Sequence, residues 1–336
     1  VASLPWVKNR EPEAHLSKLA SDLIEVLGSN LQHVLLISQF DTQLGVALQE
    51  DFGVEVTYLD AEKHLQINFD EPGQPMLQEA ISAERFADHE DLLGKFNLVV
   101  SCRMLEHARD PKAFLSALSR FLSSEGRVLI EIPESSKSLE QGDIAMLWEE
   151  HISYFTRSSV ESFLNRGKFL VEEAWVYHYP QEDALALLAQ PIRDDVAYEP
   201  SLALIPQQAT DFGIKLSEYA KKLRQFLTDL RSSYGEIVVF GAGHRSVVFL
   251  NCFGLSDLIS AFIDDDERKQ GHYVPGTEIP ISPSVVLDER RFGVCLLSIR
   301  IDIEEKVTQS LLSRFGPRLQ CYSISPDSNL AFPVFR

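Results

Sequence analysis

A glycine-containing turn in the second half of the chain is the clearest motif that could bind a ligand. Gly241, Gly243 and Ser246 follow an apolar run in the sequence IVVFGAGHRSVV, and Asp264 ends the next apolar run. This order of strand, turn, helix, strand and acid is close to the dinucleotide-binding fingerprint, in which the acid follows about 20 residues on. Backbone N–H groups at the start of the helix could bind a diphosphate.

Two basic side chains lie inside this turn. His244 and Arg245 could add charge-assisted hydrogen bonds to a phosphate. One alternative is a tight turn whose glycines simply let the helix and the strand pack closely. A second alternative is an NAD-dependent oxidoreductase, although no Tyr-x-x-x-Lys pair or comparable hydride-transfer set accompanies the turn.

The turns that follow the first two apolar runs are further candidates for a binding site. Asp60 ends the run VTYLD, where a carboxylate can accept hydrogen bonds from both hydroxyls of a ribose. Asp is also common as a plain polar residue at strand ends, so this alternative stays open. The preceding turn, residues 37–42, contains no glycine, although a nucleotide site there normally needs one for close approach of the backbone.

The hydrophobic pattern predicts the elements that position these turns. Apolar runs such as HVLLIS, FNLVVSC and RVLIEIP alternate with amphipathic helical stretches such as EAHLSKLASDLIEVLG and PKAFLSALSRFLSS. Strands that are apolar throughout and separated by helices indicate a parallel sheet covered on both faces. The fold class that we expect is therefore α/β, with Rossmann-like sheets.

The same pattern predicts two domains. Residues 1–180 form the first α/β domain, and the alternation of strands and helices restarts in a smaller α/β domain over residues 235–336. Residues 181–234 are predicted to join them, as a connection richer in Pro, Asp and Gln over 181–210, followed by a long amphipathic linker helix.

The composition favours a folded globular protein and argues against one that binds nucleic acid. The 336 residues are 45% hydrophobic and 24% charged, which is typical of a folded globular chain. The formal charge of −19, from 50 acidic and 31 basic side chains, would repel a phosphate backbone and argues against a nucleic-acid partner.

Cysteine usage and the apolar runs bear on the compartment. Cys102, Cys252 and Cys295 lie in apolar runs and no CxxC pair is present, so we expect buried thiols, no metal site and a reducing environment. The apolar runs are too short to span a membrane, and the start lacks a signal-peptide pattern, so the sequence predicts a cytoplasmic protein. A start at Val1 rather than Met would fit a trimmed chain or an excised part of a longer protein.

Residues 96–169 carry a more specific pattern. It contains FNLVVSC, LEH, DP, GRVLIEIP, EEHISYFT and SSVESFLNRGKF, and a second segment nearer the C terminus contains KQG, YVPGT and IPI. The two segments, in this order, resemble the S-adenosylmethionine (SAM) dependent sugar C-methyltransferases, and the resemblance covers most of residues 30–310. It implies a class I methyltransferase domain followed by the family's C-terminal Rossmann-like domain, with a nucleotide-linked keto-sugar as substrate.

The resemblance also implies where ligands bind. SAM would lie at the turns after the first three strands, and the positions that match this cofactor site are Ser38, Asp41, Asp60, Cys102 and Arg103. The C-terminal turn is similar to the nucleotide-sugar-binding domain of sugar N-acetyltransferases, which makes a sugar nucleotide a better guess than NAD. The residues assigned to that ligand are Gly241, Gly243, His244, Arg245, Ser246 and Asp264.

Glu150 and His151 match an EH pair of the family, whose role is to remove the proton beside the keto group. A His with an unperturbed pKa near 6.5 can accept a proton at neutral pH, and a neighbouring carboxylate stabilises its charged form. Tyr154 is a candidate helper, because Trp148 stands where relatives often have a tyrosine. Without the match, His151 would more simply anchor a loop, and His107 is expected to hydrogen-bond the loop that follows it.

Two features depart from the family pattern. Ser38 and Thr42 occupy positions in the first turn where glycines are expected, and the cysteine-rich zinc module with which members usually begin is not in the sequence. These departures favour a second hypothesis of a different class. In it, the methyltransferase fold has lost SAM and serves as a sugar-nucleotide-binding or assembly subunit with a protein partner.

Overall fold

The structure, a computed structural model, describes residues 13–65, 67, 80–81, 89–148, 150–179, 182–192, 205–289 and 292–335. Its helices are α1 Leu16–Leu27, α2 Thr42–Phe52, α3 Ala61–Leu65, α4 Pro111–Ser119, α5 Ser136–Gln141, α6 Arg157–Arg166, α7 Ile205–Tyr234, α8 His244–Phe253, α9 Val286–Glu289 and α10 Ile301–Phe315. Its strands are β1 His33–Leu36, β2 Glu55–Tyr58, β3 Phe96–Cys102, β4 Leu122–Glu134, β5 Phe169–Tyr177, β6 Asp183–Pro191, β7 Glu236–Phe240, β8 Ile259–Ile263, β9 Ile281–Ser282, β10 Phe292–Leu297 and β11 Gln320–Ser323.

The chain divides into two compact units. Unit 1 comprises Val1–Ser136 and Glu149–Leu202, and unit 2 comprises Lys137–Trp148 and Ala203–Arg336. Each unit contains one sheet between layers of helices, which confirms the predicted α/β class with two Rossmann-like sheets.

The short segment 137–148 groups with unit 2, although it interrupts unit 1 in sequence. Ile144 joins the apolar core of unit 2, and the Tyr219 hydroxyl donates to the Gln141 carbonyl oxygen over 3.1 Å. The hydrophobic pattern did not distinguish this excursion from the rest of the first domain.

The sheet of unit 1 has the strand order β2-β1-β3-β4-β6-β5. Strands β1 to β4 run parallel, and β6 runs antiparallel to both of its neighbours. Successive side chains of a strand point to opposite faces, so Val34 and Leu36 pack in one apolar layer and Leu35 and Ile37 in the other. Helices α1 and α2 cover the first layer, and α4 and α6 cover the second.

Strand β6 corrects the expectation of a connection over residues 181–210. Its sequence, DALALLAQP, is rich in Ala and Leu, which favour helices rather than strands. Pairing with β4 on one side and β5 on the other overrides that local preference, and the strand is buried from Ala184 to Ala189.

The strand order of unit 1 brings three turns together at one edge of the sheet. The chain leaves β1 towards β2 and returns on the other side of β1 to β3, which makes a topological switch point. In α/β sheets, ligands bind at the carboxyl ends of the strands at such a point. Leu36 is in register with both Tyr58 and Val100, so the turns after β1, β2 and β3 lie side by side.

Unit 2 repeats this scheme with a smaller, fully parallel sheet in the order β11-β10-β7-β8-β9. Its switch point lies where β7 stands between β8 and β10. The long helix α7, predicted as a linker, groups with unit 2 and buries Leu223, Leu227 and Leu230 in the core of that unit.

The four cysteines are free thiols. Cys102 and Cys295 are buried as expected, but Cys252 is exposed, so that part of the expectation is wrong. The apolar run VVFLNCF belongs to the helix α8, which places consecutive residues on different faces and leaves Cys252 towards solvent. None of the described helices is long and apolar enough to cross a membrane.

The glycine turn after β7 is shaped by close backbone packing. Gly241 has φ +103°, and a Cβ atom added there would lie 2.3 Å from the carbonyl oxygen of Ser298, which follows β10. Gly243 differs, because its φ of −112° is open to other residues and nothing lies within 4 Å of the position of a Cβ atom. The first glycine is therefore required by the fold and the second is not.

We predict that Gly241→Ala lowers the free energy of unfolding of unit 2 by at least about 2 kcal/mol, from the positive φ and the overlap with backbone. Gly243→Ala is the matched control, with a loss of about 1 kcal/mol or less at a helix N-cap. Chemical denaturation of both variants measures the difference. Equal losses in the two variants would contradict the assigned geometry.

Candidate functional site

The turn after β1 is organised by the carboxylate of Asp41, which is fully buried. One oxygen, Oδ2, accepts hydrogen bonds from the N–H groups of Ile37 and Ser38, both at 2.8 Å. The other, Oδ1, accepts from the N–H of Cys102 at the end of β3, also at 2.8 Å. Burial raises the pKa of Asp41 to about 7, although these backbone hydrogen bonds act to lower it. Asp41 thus fastens the ends of β1 and β3 to each other across the switch point.

The glycine-free turn needs no unusual backbone conformation. Ser38 has an extended backbone with φ −134°, and Thr42 is helical with φ −58°. The Ser38 hydroxyl accepts from the Phe40 N–H over 3.2 Å and donates to the Cys102 carbonyl over 3.5 Å. Its side chain is therefore used within the turn, and the strain that a positive φ would impose on Ser or Thr does not arise.

Cys102 ends β3, Arg103 follows it, and both lie in a buried polar network. Arg103 has φ +54°, and its guanidinium donates through Nε to Glu131 at 2.9 Å and through Nη1 to Glu182 at 2.8 Å. Although burial acts to raise it, the pKa of Glu131 is lowered by the charge of Arg103 and by hydrogen bonds. Burial raises the pKa of the Cys102 thiol well above its usual range, so this sulfur is no nucleophile at neutral pH.

Asp60 is the member of the predicted cofactor set that is exposed to solvent. It follows β2, and its Oδ1 caps α3 by accepting from the Lys63 N–H at 2.9 Å, a bond that lowers the pKa of Asp60. Its own N–H donates to Nδ1 of His64 at 3.0 Å, which fixes the backbone. A carboxylate held ionised at the carboxyl edge of the sheet can accept hydrogen bonds from a ribose.

The loop that carries Glu150 and His151 is tied to the LEH turn after β3. The N–H groups of Ile152 and Ser153 donate to the backbone carbonyl of Glu106, at 2.8 Å and 3.0 Å. Nδ1 of His107 is 2.9 Å from the carbonyl oxygen of Glu150, 43 residues on, whereas the predicted bond to the loop directly after His107 stays a prediction. The loop is therefore held at the carboxyl edge of the sheet of unit 1.

Three aromatic side chains meet at this loop. The rings of His151 and Tyr154 are 5.8 Å apart, and those of His107 and His151 are 4.7 Å apart in an edge-to-face arrangement. The sequence predicted that His151 and Tyr154 belong to one site, and in the structure their rings lie near each other. Their catalytic role, and that of the half-buried Glu150, stays a prediction.

The structure adds Glu106 to this group, which sequence reasoning did not select. Glu106 is 1% exposed and lies beside His107 in the LEH turn. The acid-histidine pair was a local signal, but its relation to His151 depends on long-range folding. No metal site was expected from the histidine spacing, yet Glu106, His107 and His151 each offer a possible ligand atom within 4.8 Å of the others.

The turn after β7 in unit 2 gathers the six residues predicted to bind a sugar nucleotide, but two of them are engaged within the protein. Oδ2 of Asp264 accepts from the Ala242 N–H at 2.9 Å and pairs with Lys269 at 2.8 Å, bonds that lower the pKa of Asp264 against the effect of burial. The Ser246 hydroxyl donates to the carbonyls of Gly241 and Gly243.

The two basic side chains of this turn also have neighbours in unit 2. His244 stacks on Trp148 with ring centroids 4.4 Å apart, and Nη2 of Arg245 lies 3.4 Å from the Ser325 hydroxyl and 4.0 Å from Asp143. Helix α8 has Gly243 at its N-cap and no side-chain cap, so its first N–H groups point into the turn. Binding of a ligand by these six residues stays a prediction.

Comparisons with known proteins agree with this domain order. Residues 42–173 match a methyltransferase domain family, and residues 192–311 match the C-methyltransferase C-terminal domain. C-methyltransferase NovU from Streptomyces niveus is 22% identical over 281 residues, which cover 80% of this chain and 66% of NovU. The aligned part thus falls just short of two thirds of the length of that relative.

Solved methyltransferase structures also resemble part of this chain at low sequence identity. The 1,6-didemethyltoxoflavin-N1-methyltransferase of Burkholderia thailandensis is 15% identical, with a TM-score of 0.36 over 54% of this chain and 79% of its own. The magnesium protoporphyrin IX methyltransferase of Synechocystis PCC 6803 is 13% identical, with a TM-score of 0.34 over 52% of this chain and 82% of its own.

The two family domains follow each other in this sequence, and the alignment with NovU extends over most of the chain. The chain thus combines a methyltransferase domain with a C-methyltransferase C-terminal domain.

Proposed function

We propose that this protein is a SAM-dependent C-methyltransferase whose substrate is a nucleotide-linked keto-sugar. The observation that carries the proposal is the carboxyl edge of the sheet of unit 1. There the turn held by Asp41 and the ionised carboxylate of Asp60 follow neighbouring strands, and the loop of His151 is bonded to the turn after β3. A cofactor site and a base at one switch point are what methyl transfer to carbon requires.

The described residues fit SAM in two respects. The backbone of the first turn is unstrained without glycine, and its serine hydroxyl is bonded within the turn. Asp60 is exposed, and the bond from the Lys63 N–H lowers its pKa, so an ionised carboxylate can accept from a ribose hydroxyl there. When bound, SAM supplies a methyl group on a positively charged sulfur.

The residues of this chain then supply proton transfer. His151 accepts the proton from the carbon beside the keto group, and the electron pair of that C–H bond moves towards the keto oxygen. The resulting enolate carbon would be the nucleophile for the methyl group that bound SAM would supply. Glu150 would stabilise the imidazolium, and Tyr154, whose ring lies 5.8 Å from that of His151, would donate to the substrate through its hydroxyl.

For the substrate, we propose that the turn after β7 binds the diphosphate of the sugar nucleotide. The N–H groups at the start of α8 and the side chains of His244 and Arg245 support this assignment, because they place donors and positive charge in one turn. Ser246 and Asp264 would act indirectly, by fixing the shape of the turn.

One observation favours the second hypothesis, a fold that has lost SAM and serves as a binding or assembly subunit with a protein partner. The side chains of Asp41, Ser38 and Arg103 all bond within the protein, so much of the polar capacity of the predicted cofactor site is used internally. Binding of SAM separates the two hypotheses, because only the enzyme needs it.

We predict that SAM binds to the wild-type chain and that Asp60→Asn weakens binding by at least about tenfold, because a neutral amide replaces a charged acceptor. Asn keeps an oxygen for the helix cap, so the fold is retained. Isothermal titration calorimetry measures the affinity, with Asp51→Asn on the exposed part of α2 as the matched control. If SAM does not bind to the wild type, the enzyme hypothesis is wrong. If Asp60→Asn and Asp51→Asn bind SAM with equal affinity, Asp60 is not part of the site.

We further predict that His151→Asn slows proton removal by at least about 100-fold, the usual scale for loss of a general base. The base step is isolated in deuterium oxide with S-adenosylhomocysteine in place of SAM, where NMR follows deuterium entry beside the keto group. His178→Asn, which alters an exposed histidine of the same unit, should exchange like the wild type. The base assignment fails if His151→Asn exchanges and turns over at the wild-type rate.

A further inference from the structure

The cluster of Glu106, His107 and His151 has the composition of a metal site. Each side chain offers one ligand atom, and the three atoms lie within 4.8 Å of one another. Two imidazole nitrogens and one carboxylate oxygen form a common set of protein ligands for transition metal ions. Glu106 and His107 are buried, and His151 is half-buried, so an ion bound there would still be reached from solvent.

The backbone holds the two halves of the cluster together before any ion binds. Glu106 and His107 belong to a short 3-10 helix after β3, and His151 belongs to the loop that follows residue 148. The bonds from Ile152 N–H and Ser153 N–H to the Glu106 carbonyl join these segments directly beside the ligands. An ion would therefore meet ligands on a pre-formed scaffold, and little ordering of the chain would oppose binding.

His107 has the hydrogen bond that orients a metal-binding imidazole. A backbone carbonyl can only accept, so Nδ1 of His107 donates its proton to the Glu150 carbonyl. In the neutral ring with the proton on Nδ1, Nε2 is the nitrogen that carries a lone pair. A histidine that binds metal through one nitrogen and donates from the other to a carbonyl is the usual arrangement in metalloproteins.

An ion would draw the three ligand atoms closer together. Ligand atoms about 2.1 Å from a tetrahedral ion are about 3.4 Å apart, and here the three atoms lie within 4.8 Å of one another. The half-buried His151 side chain can contribute to the closing movement by rotation. Three protein ligands leave at least one coordination position for water or substrate.

We propose that Glu106, His107 and His151 form a binding site for a divalent transition metal ion such as Zn²⁺ or Co²⁺. Two nitrogen ligands favour such ions over Mg²⁺ and Ca²⁺, which prefer oxygen. Metal binding itself does not depend on the proposed function. One consequence rests on that function: an ion on His151 occupies a lone pair that would otherwise take the substrate proton, so Zn²⁺ should inhibit turnover.

The test uses the full chain, stripped with a chelator and titrated with Co²⁺, whose visible absorption reports nitrogen ligands. We expect one Co²⁺ per chain, displaced by one equivalent of Zn²⁺, and no comparable binding of Mg²⁺. His151→Asn should weaken Co²⁺ binding by at least about tenfold, and Glu106→Gln should do the same. His151 is only half-buried, so its variant tests the site even if the buried Glu106 variant does not fold.

The matched control is His272→Asn, which alters an exposed histidine in unit 2 and should bind Co²⁺ like the wild type. Absence of a stoichiometric Co²⁺ complex would overturn the proposal, as would wild-type affinity in folded His151→Asn. An equal loss in His272→Asn would also overturn it, since binding would then be unspecific. SAM binding is measured separately, so failure of the metal site and failure of the proposed methyl transfer give different results.

Discussion

The carboxylate of Asp41 is the constraint on which the candidate cofactor site depends. A buried charge is costly unless hydrogen bonds replace the water it has lost, and here three backbone N–H groups at 2.8 Å do so. Those donors belong to the turn after β1 and to the end of β3, so one side chain sets the shape of the switch point. With the turn held in this way, Ser38 and Thr42 keep ordinary backbone angles, and glycine is not needed there.

Unit 2 likewise uses polar side chains to hold the backbone of a turn. Residues predicted to bind a ligand can therefore have a structural role instead. Asp264 bonds the Ala242 N–H, and Ser246 bonds two carbonyls of the glycine turn, much as Asp41 and Ser38 serve the first turn. In both sheets the buried polar side chains fix the backbone at a switch point. The more accessible groups, such as Asp60 and the helix N–H groups of α8, are then the ones that can bind a ligand.

Local patterns in the sequence predicted most of the fold but only part of the site. Apolar strands and amphipathic helices follow short-range periodicity, which a sequence shows directly. A positive φ can also be predicted from a single residue, as the glycine at position 241 shows. Strand β6 was missed because its Ala-rich and Leu-rich sequence favours helix, and its pairing with β4 is long-range. The hydrogen bond from the Cys102 N–H to Asp41 spans 61 residues, and Glu106 and His151 are also far apart in sequence. Neither contact could therefore be predicted from residue spacing.

The most direct test of the account is hydrogen-deuterium exchange of the full chain with and without S-adenosylhomocysteine. If the carboxyl edge of unit 1 binds the cofactor, the ligand should slow exchange in peptides that contain the turns after β1, β2 and β3. Peptides that contain the glycine turn after β7 should be unaffected by this ligand. Unchanged exchange in the turns of unit 1, or protection confined to the turn of unit 2, would contradict the assignment of the cofactor site.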